Sequence, residues 1–339
     1  MSVLLFTADD YGCHSEIDEG IRLALEKEWI NSVAMFSNGP DLAASAKKIR
    51  HYQENGSSEI GCHLTITSGK PLTEEMKKCD VFVKDGHFRN FMLMNREGTF
   101  DPTRREEIKC ILKAELREQI RRLEENGIVV KHLSHHHNAL SFFPEYTEAL
   151  MEVATEINTI KSGDSTLKVR SVNLLPREKN LFLPVVLALP STIGGGKANS
   201  AERAAYIWAL NRWMENYRTE HPDAAAMPEI LDSFHYGPLG LVRSGESARR
   251  RKAKNKAEEL VAQVKKYSES AAKVEIIFHL IDPSIGDSWR SNERRFKDRY
   301  FGVATNYFDS RLIEFESLKA SFSGTSALPL PEKKCWQKI

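Results

Sequence analysis

Two apolar rhythms take turns along this chain. Apolar runs of strand length fall at residues 3–6, 32–36, 59–66, 128–133, 167–172, 230–236 and 274–280. Between them lie stretches with apolar residues three and four apart. Ser15 caps the first, with Ile17, Ile21, Ala24 and Leu25 on one face and Glu16, Asp18 and Glu19 in its first turn, where the helix dipole favours them. Pro40 and Asp41 open a second that runs through Ile49. A third spans residues 104–126, with Ile108, Ile111, Leu112, Leu116, Ile120 and Leu123 on one face and Gly127 as its stop. Further helices are expected at residues 144–157, 246–267 and 310–319.

Strands alternating with amphipathic helices imply parallel strands joined by right-handed crossovers. A closed barrel and an open doubly wound sheet both satisfy that pattern. The polar residues favour the barrel: Asp9, Asp10, His63, His136 and His279 fall at or near the C-terminal ends of separate predicted strands. In a (β/α) barrel of the TIM type those ends share one face, where active sites sit. The expected organisation is an α/β, barrel-like domain of mostly parallel strands over residues 1–320, followed by a loosely ordered tail at 321–339. Residues 176–227 form an insertion whose glycine triplet at 194–196 lacks the Lys-Ser/Thr of a phosphate loop. The connection from 69 to 103 is long enough to be functional and could cover the site.

Composition narrows the picture. Hydrophobic residues make up 41% and charged residues 28% of the 339, and the net charge is +1. That balance exerts no overall pull towards nucleic acid or a membrane surface, and the basic run at 249–252 reads as a solvated helix face. The most apolar stretch, 181–190, carries two prolines and is far shorter than the roughly 20 residues a spanning helix needs. The run before Asp9 is short and lacks a basic lead-in, so no secretory leader is expected. Cys13, Cys62, Cys79, Cys110 and Cys335 have no CxxC spacing and are odd in number, which favours a reducing, cytoplasmic setting.

The candidate chemistry begins with Asp9 and Asp10. Adjacent carboxylates on a strand point to opposite faces, so they can converge only if the strand ends and turns there, and Gly12 is the expected turn. Asp-Asp alone reads as a helix cap; the histidines further on change that. Residues 132–138, HLSHHHN, put His132, Ser134, His136 and Asn138 on one strand face, and burying so many imidazoles without polar partners would be costly. One Asp with two His is a good ligand set for a divalent ion that keeps positions open for water and substrate. Asp10, His63 and His136 fill that role, Asp9 is the expected general base, and His279 the expected proton donor.

These segments also carry a resemblance. Residues 7–12, TADDYG, look like the NADDFG signature of the YdjC-like (ChbG-type) carbohydrate deacetylases. Residues 61–71 are similar to that family's GxHLxLTxGxP, residues 132–136 resemble its HxDxH, and Phe278-His279-Leu280 stands where it has Cys-His-Pro. The resemblance implies a barrel-like, often dimeric protein holding a divalent metal, magnesium or zinc, through Asp10, His63 and His136. It implies removal of acetyl groups from N-acetylglucosamine-type sugars such as chitooligosaccharides, with neither nucleic acid nor membrane as partner. Arg170 falls where the family has a strand arginine facing the substrate. His137 is the rival of His136 if the strand carries a one-residue bulge. Tyr11, Phe142, Phe143 and Tyr236 are candidates to stack on the sugar ring. Ser134 replaces an Asp, Asn138 and Leu140 replace further His, Thr7 replaces Asn and Leu280 replaces Pro, changes expected to reduce or redirect activity by disturbing groups that orient the ligands. Two other readings follow from those departures: a silent carbohydrate-binding scaffold, and a metal-dependent hydrolase of another bond such as a phosphoester.

Overall fold

The computed structural model describes residues 3–89, 102–141, 144–161, 167–170, 219, 234–235, 246–269, 273–286, 288, 307–323 and 327–332. Its centre is β1 (Val3–Tyr11), in which every residue but Leu4 is buried. A strand with both faces covered reads as a continuous apolar run rather than an alternation, which is how residues 3–6 stand out in the sequence. On one side β1 pairs with β2 (Ser32–Met35), which is followed by β3 (Glu59–Leu64), all parallel.

The described sheet contains seven strands. Between β3 and the next member lie the short antiparallel pair β4 (Val83–Lys84) and β5 (His87–Phe88), which form a separate hairpin. The main sheet continues through β6 (His132–His135) and β7 (Lys168–Val169), while β8 (Phe234–His235) and β9 (Lys273–Phe278) lie on the other side of β1, in the order β7-β6-β3-β2-β1-β9-β8. Every neighbouring pair in it is parallel. Read as a circle starting at β1, that order is simply chain order. A doubly wound sheet would reverse direction at a switch point; a sheet that advances one way around is wound as a (β/α) barrel is. The barrel-like expectation therefore holds.

The helices obey their apolar faces. In order they are α1 (Ser15–Glu26), α2 (Leu42–Glu54), α3 (Glu74–Lys78), α4 (Arg105–Glu125), α5 (Pro144–Ile160), α6 (Glu246–Ser268) and α7 (Tyr307–Ser321). Ile108, Leu112, Leu116, Ile120 and Leu123 of α4 are all buried, each contributing about 1.5–3 kcal/mol relative to exposure. The helix turns into the β6 approach through Gly127 and a bond from Ile128 N–H to the Leu123 carbonyl. Against α5 it forms a ladder of surface ion pairs, Lys109 with Glu148 and Glu152, and Lys113 with Glu152 and Glu156.

Some boundaries differ from expectation. His14, not Ser15, caps α1, its Nδ1 accepting from the Glu16 N–H. The sixth strand begins at His132 rather than 128, because Ile128 and Lys131 spend their amides closing α4 and meeting Ile60. The connection from 69 to 103 contains α3 and the β4–β5 hairpin, pinned by the buried Glu115 of α4, whose carboxylate accepts from the N–H groups of Leu72 and Thr73. Past α7, Leu328 N–H bonds the Ser321 carbonyl, and Asn31 of the β2 approach donates to the Glu332 carbonyl. Apart from Thr219, the insertion at 176–227 lies outside the described residues. No described helix is long and apolar enough to cross a membrane, and Cys13, Cys62, Cys79 and Cys110 are free thiols.

The turn after β1 is locked by Asp18 of α1, whose carboxylate accepts from the Gly12 N–H at 2.6 Å and the Ser45 hydroxyl at 2.7 Å. Burial raises its pKa to about 6, against the pull of those two hydrogen bonds. A raised carboxyl pKa means stability present below the ordinary value near 3.8 and lost as pH climbs through 6. The interval corresponds to about 3 kcal/mol at 1.36 kcal/mol per pH unit. Asp18→Asn should gain on the wild type by up to that amount between pH 4 and pH 6.5 in urea unfolding; parallel profiles for the two proteins would exclude this role.

Candidate active site

The acidic pair converges by a bulge rather than by the expected glycine turn. Ala8 is opposite Val33 but Tyr11 is opposite Met35, so β1 carries one residue more than β2 over that stretch. The extra residue is accommodated at Asp10, whose φ is +73°. Asp is among the few residues other than glycine that tolerate this left-handed region. The kink sends both carboxylates into one site from different directions.

Asp10 is fully buried, and its two oxygens have separate duties. Oδ1 lies 3.2 Å from His63 Nε2 and 3.0 Å from His136 Nδ1, while Oδ2 accepts from Arg311 of α7. Burial would raise its pKa, but His136 and Arg311 beside it hold it well below the ordinary carboxylate range. His63 comes from the end of β3. Its Nδ1 is engaged with the Ser134 hydroxyl at 2.8 Å, which leaves Nε2 for Asp10. Ser134 thus occupies, with a neutral hydroxyl, the orienting position where the resemblance expects an Asp. His136 lies just past β6, in a 3-10 turn from His136 to Ser141. Phe36 presents its ring to both imidazoles edge-on, at 5.2 Å from His63 and 5.0 Å from His136.

Asp10, His63 and His136 form the group among the described residues that could hold a metal ion, with donor atoms all within 4.8 Å of one another. Two donors each about 2.1 Å from one ion lie about 3.0 Å apart at an octahedral angle and about 3.4 Å at a tetrahedral one. The contacts at 3.0 and 3.2 Å suit either. Burial, opposed by Asp10, lowers the His136 pKa and favours the neutral imidazole a metal requires. His136 Nε2 is buried with no hydrogen-bond partner among the described residues. The chemistry of the donor set fits a divalent ion.

Asp9 borders that group, with Oδ2 3.9 Å from His63 Nε2, but its hydrogen bonds go elsewhere. Both of its oxygens accept from Arg170, at 2.7 and 2.8 Å, in a two-pronged pair. The same guanidinium donates twice to Glu275 of β9, both at 2.7 Å. All three groups are buried. Burial raises the Asp9 pKa, but Arg170 and then His63 outweigh it and hold the carboxyl far down. Arg170 is a clamp on Asp9, and both sides of its fork are taken.

His279 follows β9, and its side chain is 20% exposed. Glu314 of α7 accepts its backbone N–H at 2.5 Å and stands 3.8 Å from its Nδ1. Burial lowers its pKa, but Glu314 and then Asp10 prevail and raise it. The ring is thus held in the protonated form to higher pH, as a proton donor needs.

His132 and His137 are each engaged by a neighbouring hydroxyl. His132 lies against Gly61, where a Cβ would come within 2.3 Å of its ring, and it pairs with the Ser32 hydroxyl at 3.0 Å. Burial, then Arg170, pushes its pKa down to about 3. His137 has a φ of +57° and engages the Thr67 hydroxyl at 3.0 Å. Tyr11, expected beside a sugar, is 1% exposed, and its hydroxyl donates to the Ser45 carbonyl. It belongs to the core, because the bulge turns it towards α2. Of the other stacking candidates, Phe142, Phe143 and Tyr236 lie outside the described residues.

Four participants escaped the sequence reading as contributors: Ser134 as an orienting group, Glu275, Arg311 and Glu314. Of the last three, Glu275 had an available signal, a charged side chain inside an otherwise apolar run, which must be paired if buried; Arg311 and Glu314 lie in a segment of mixed polarity that gives none.

The family described as YdjC-like protein matches residues 3–280. A protein of Listeria welshimeri serovar 6b named carbohydrate deacetylase is 30% identical over 137 residues, 40% of this chain and 51% of that protein. One of Clostridium beijerinckii with the same name is 25% identical over 179 residues, 52% of this chain and 62% of its own. This chain spans about half the length of the Listeria relative. Among solved structures, a protein of Enterococcus faecalis V583, provisionally named for cellobiose-phosphate cleavage, superposes with a TM-score of 0.58 at 16% identity, covering 94% of each chain. At that identity the likeness concerns the fold alone.

Proposed function

Because the chain belongs to the YdjC-like family, we propose that it is a carbohydrate deacetylase that hydrolyses the N-acetyl amide of an amino sugar in a metal-dependent reaction. The observation that carries the reading is the division of labour within the acidic pair: Asp10 between two imidazoles, Asp9 on a guanidinium. Two carboxylates placed in unlike environments are the mark of separate roles.

A divalent ion held by Asp10, His63 and His136 would polarise the acetyl carbonyl and bring the pKa of water from about 15.7 to about 7, within reach of a carboxylate base. Asp9, kept ionised by Arg170, accepts the proton of the attacking water. The water oxygen bonds to the acetyl carbon, the C–N bond breaks, and the departing nitrogen takes a proton from His279. The products are acetate and a free amine. Arg170 and Glu275 keep the Asp9 carboxylate from swinging towards the imidazoles, so base and ligand stay distinct.

The test is acetate release from a panel of N-acetylated sugars, with phosphoesters alongside, with and without chelator. Acetate that appears with a divalent ion and disappears with chelator is the expected result. No acetate from any sugar under any metal would overturn the deacetylase reading, and chelator-insensitive release would overturn the metal.

A further inference from the structure

The family match ends at residue 280, yet two side chains at the site come from beyond it. Both are on α7. That helix is buried on almost every side, with Phe308, Leu312, Ile313, Phe315 and Leu318 among its enclosed residues, and Arg311 and Glu314 are enclosed with them. A helix enclosed all round has no need of charge for solubility, and a charge placed there must be matched by a partner. Arg311 meets Asp10, and Glu314 meets His279. Three residues apart on a helix, the two share one face.

Resting on the deacetylase reading above, we propose that Glu314 is a positioning residue for the reaction, holding His279 from α7 as the proton donor to the departing amine. The geometry has two parts. One Glu314 oxygen accepts the His279 backbone N–H, fixing where the chain leaves β9, and the same oxygen lies 3.8 Å from Nδ1 of the ring. The Glu314 carboxylate stands on the Nδ1 side of the ring, and Nε2 is the nitrogen that would donate. His279 is also the member of the set with a part-exposed side chain, whereas Asp9, Asp10, His63 and His136 are buried. It is the group a substrate nitrogen can reach.

The step balances. As the C–N bond breaks, its electron pair stays on nitrogen, which takes the Nε2 proton; the ring becomes neutral and regains a proton that Asp9 had drawn from water. Among the described residues, the charged and titratable groups around His279 besides Glu314 are Arg311 on the same helix, Asp9 and Asp10 on β1, and His136 and His137 after β6. Arg311 opposes protonation and Asp10 favours it, so Glu314 is the partner that tips the ring.

Glu314→Gln keeps the size and an acceptor for the backbone N–H while removing the charge. The expected result is a kcat about 10 to 100-fold lower, the range for groups that orient another. KM and bound metal should be unchanged, and the alkaline limb of the kcat profile should move to lower pH; Glu314→Asp should restore that limb. A purely structural Glu314 would lower melting temperature and activity while leaving the limb in place, and that outcome overturns the proposal. The second measurement needs no turnover: the His279 ring signal in the histidine-labelled full chain, assigned by its loss in His279→Gln and compared between wild type and Glu314→Gln. A ring that titrates lower in the variant supports the proposal, and one that titrates alike in both proteins overturns it. Absence of acetate release from wild type would sink the deacetylase reading alone, with the ring titration still deciding what Glu314 does to His279.

Discussion

Asp9→Asn is expected to keep its metal and lose turnover by about 10² to 10⁴-fold, the usual contribution of a positioned proton acceptor. The amide is isosteric, and Arg170 retains Glu275 as a charged partner, so the fold should tolerate the change. Asp10→Asn should behave differently. Its Oδ1 is the atom shared by His63 and His136, and an amide there weakens the charge that draws a cation. Metal content after gel filtration should fall with activity in Asp10→Asn and stay at the wild-type level in Asp9→Asn. Equal metal loss in both variants would mean that the two carboxylates do not divide the work.

Arg170→Met carries the largest expected effect on stability. Arg170 is enclosed between Asp9 and Glu275, and all three are buried. Removing one partner of a buried ion network costs about 3–5 kcal/mol, because the remaining charge is left uncompensated. Here two carboxylates would be left facing one gap. Unfolding at pH 7 should show a loss of that size, narrowing as pH falls and the two carboxylates take up a proton between them. The sign follows from linkage: without the guanidinium the folded carboxyl pKa rises, and a raised pKa favours the folded state below it and penalises it above. Adding Glu275→Gln to Arg170→Met should recover part of the loss, since one carboxylate then remains where there were two. An Arg170→Met protein of full stability and altered KM alone would instead assign Arg170 to the substrate.

The departures from the family pattern look less damaging in three dimensions than in one. Ser134 stands for Asp but still holds His63 Nδ1. Leu280 stands for Pro, and its carbonyl accepts from Arg311 at 3.4 Å. Leu140 packs in the core, with its carbonyl bonded to Thr147. The orienting contacts around Asp10 and His63 are therefore made by other groups, in part from α7.

The sequence by itself determined the alternation of strands and helices, the parallel sheet, and which strand ends carry carboxylate and imidazole. These are local properties: side-chain period fixes the element type, and apolar faces fix which side is buried. It also singled out Asp10, His63 and His136, the three that come together as a possible metal set. Tertiary structure alone decided by what geometry the two carboxylates of the acidic pair part and what holds each one. The direction of a side chain at a strand end depends on a single dihedral, and the left-handed φ at Asp10 is a packing outcome that no periodicity announces. The partners that set the charges come from far away: Arg170 is 161 residues from Asp9, and Arg311 is 301 from Asp10. A buried charge demands a partner, but its own sequence neighbourhood cannot say which. The same physics places Tyr11 in the core and Arg170 between Asp9 and Glu275.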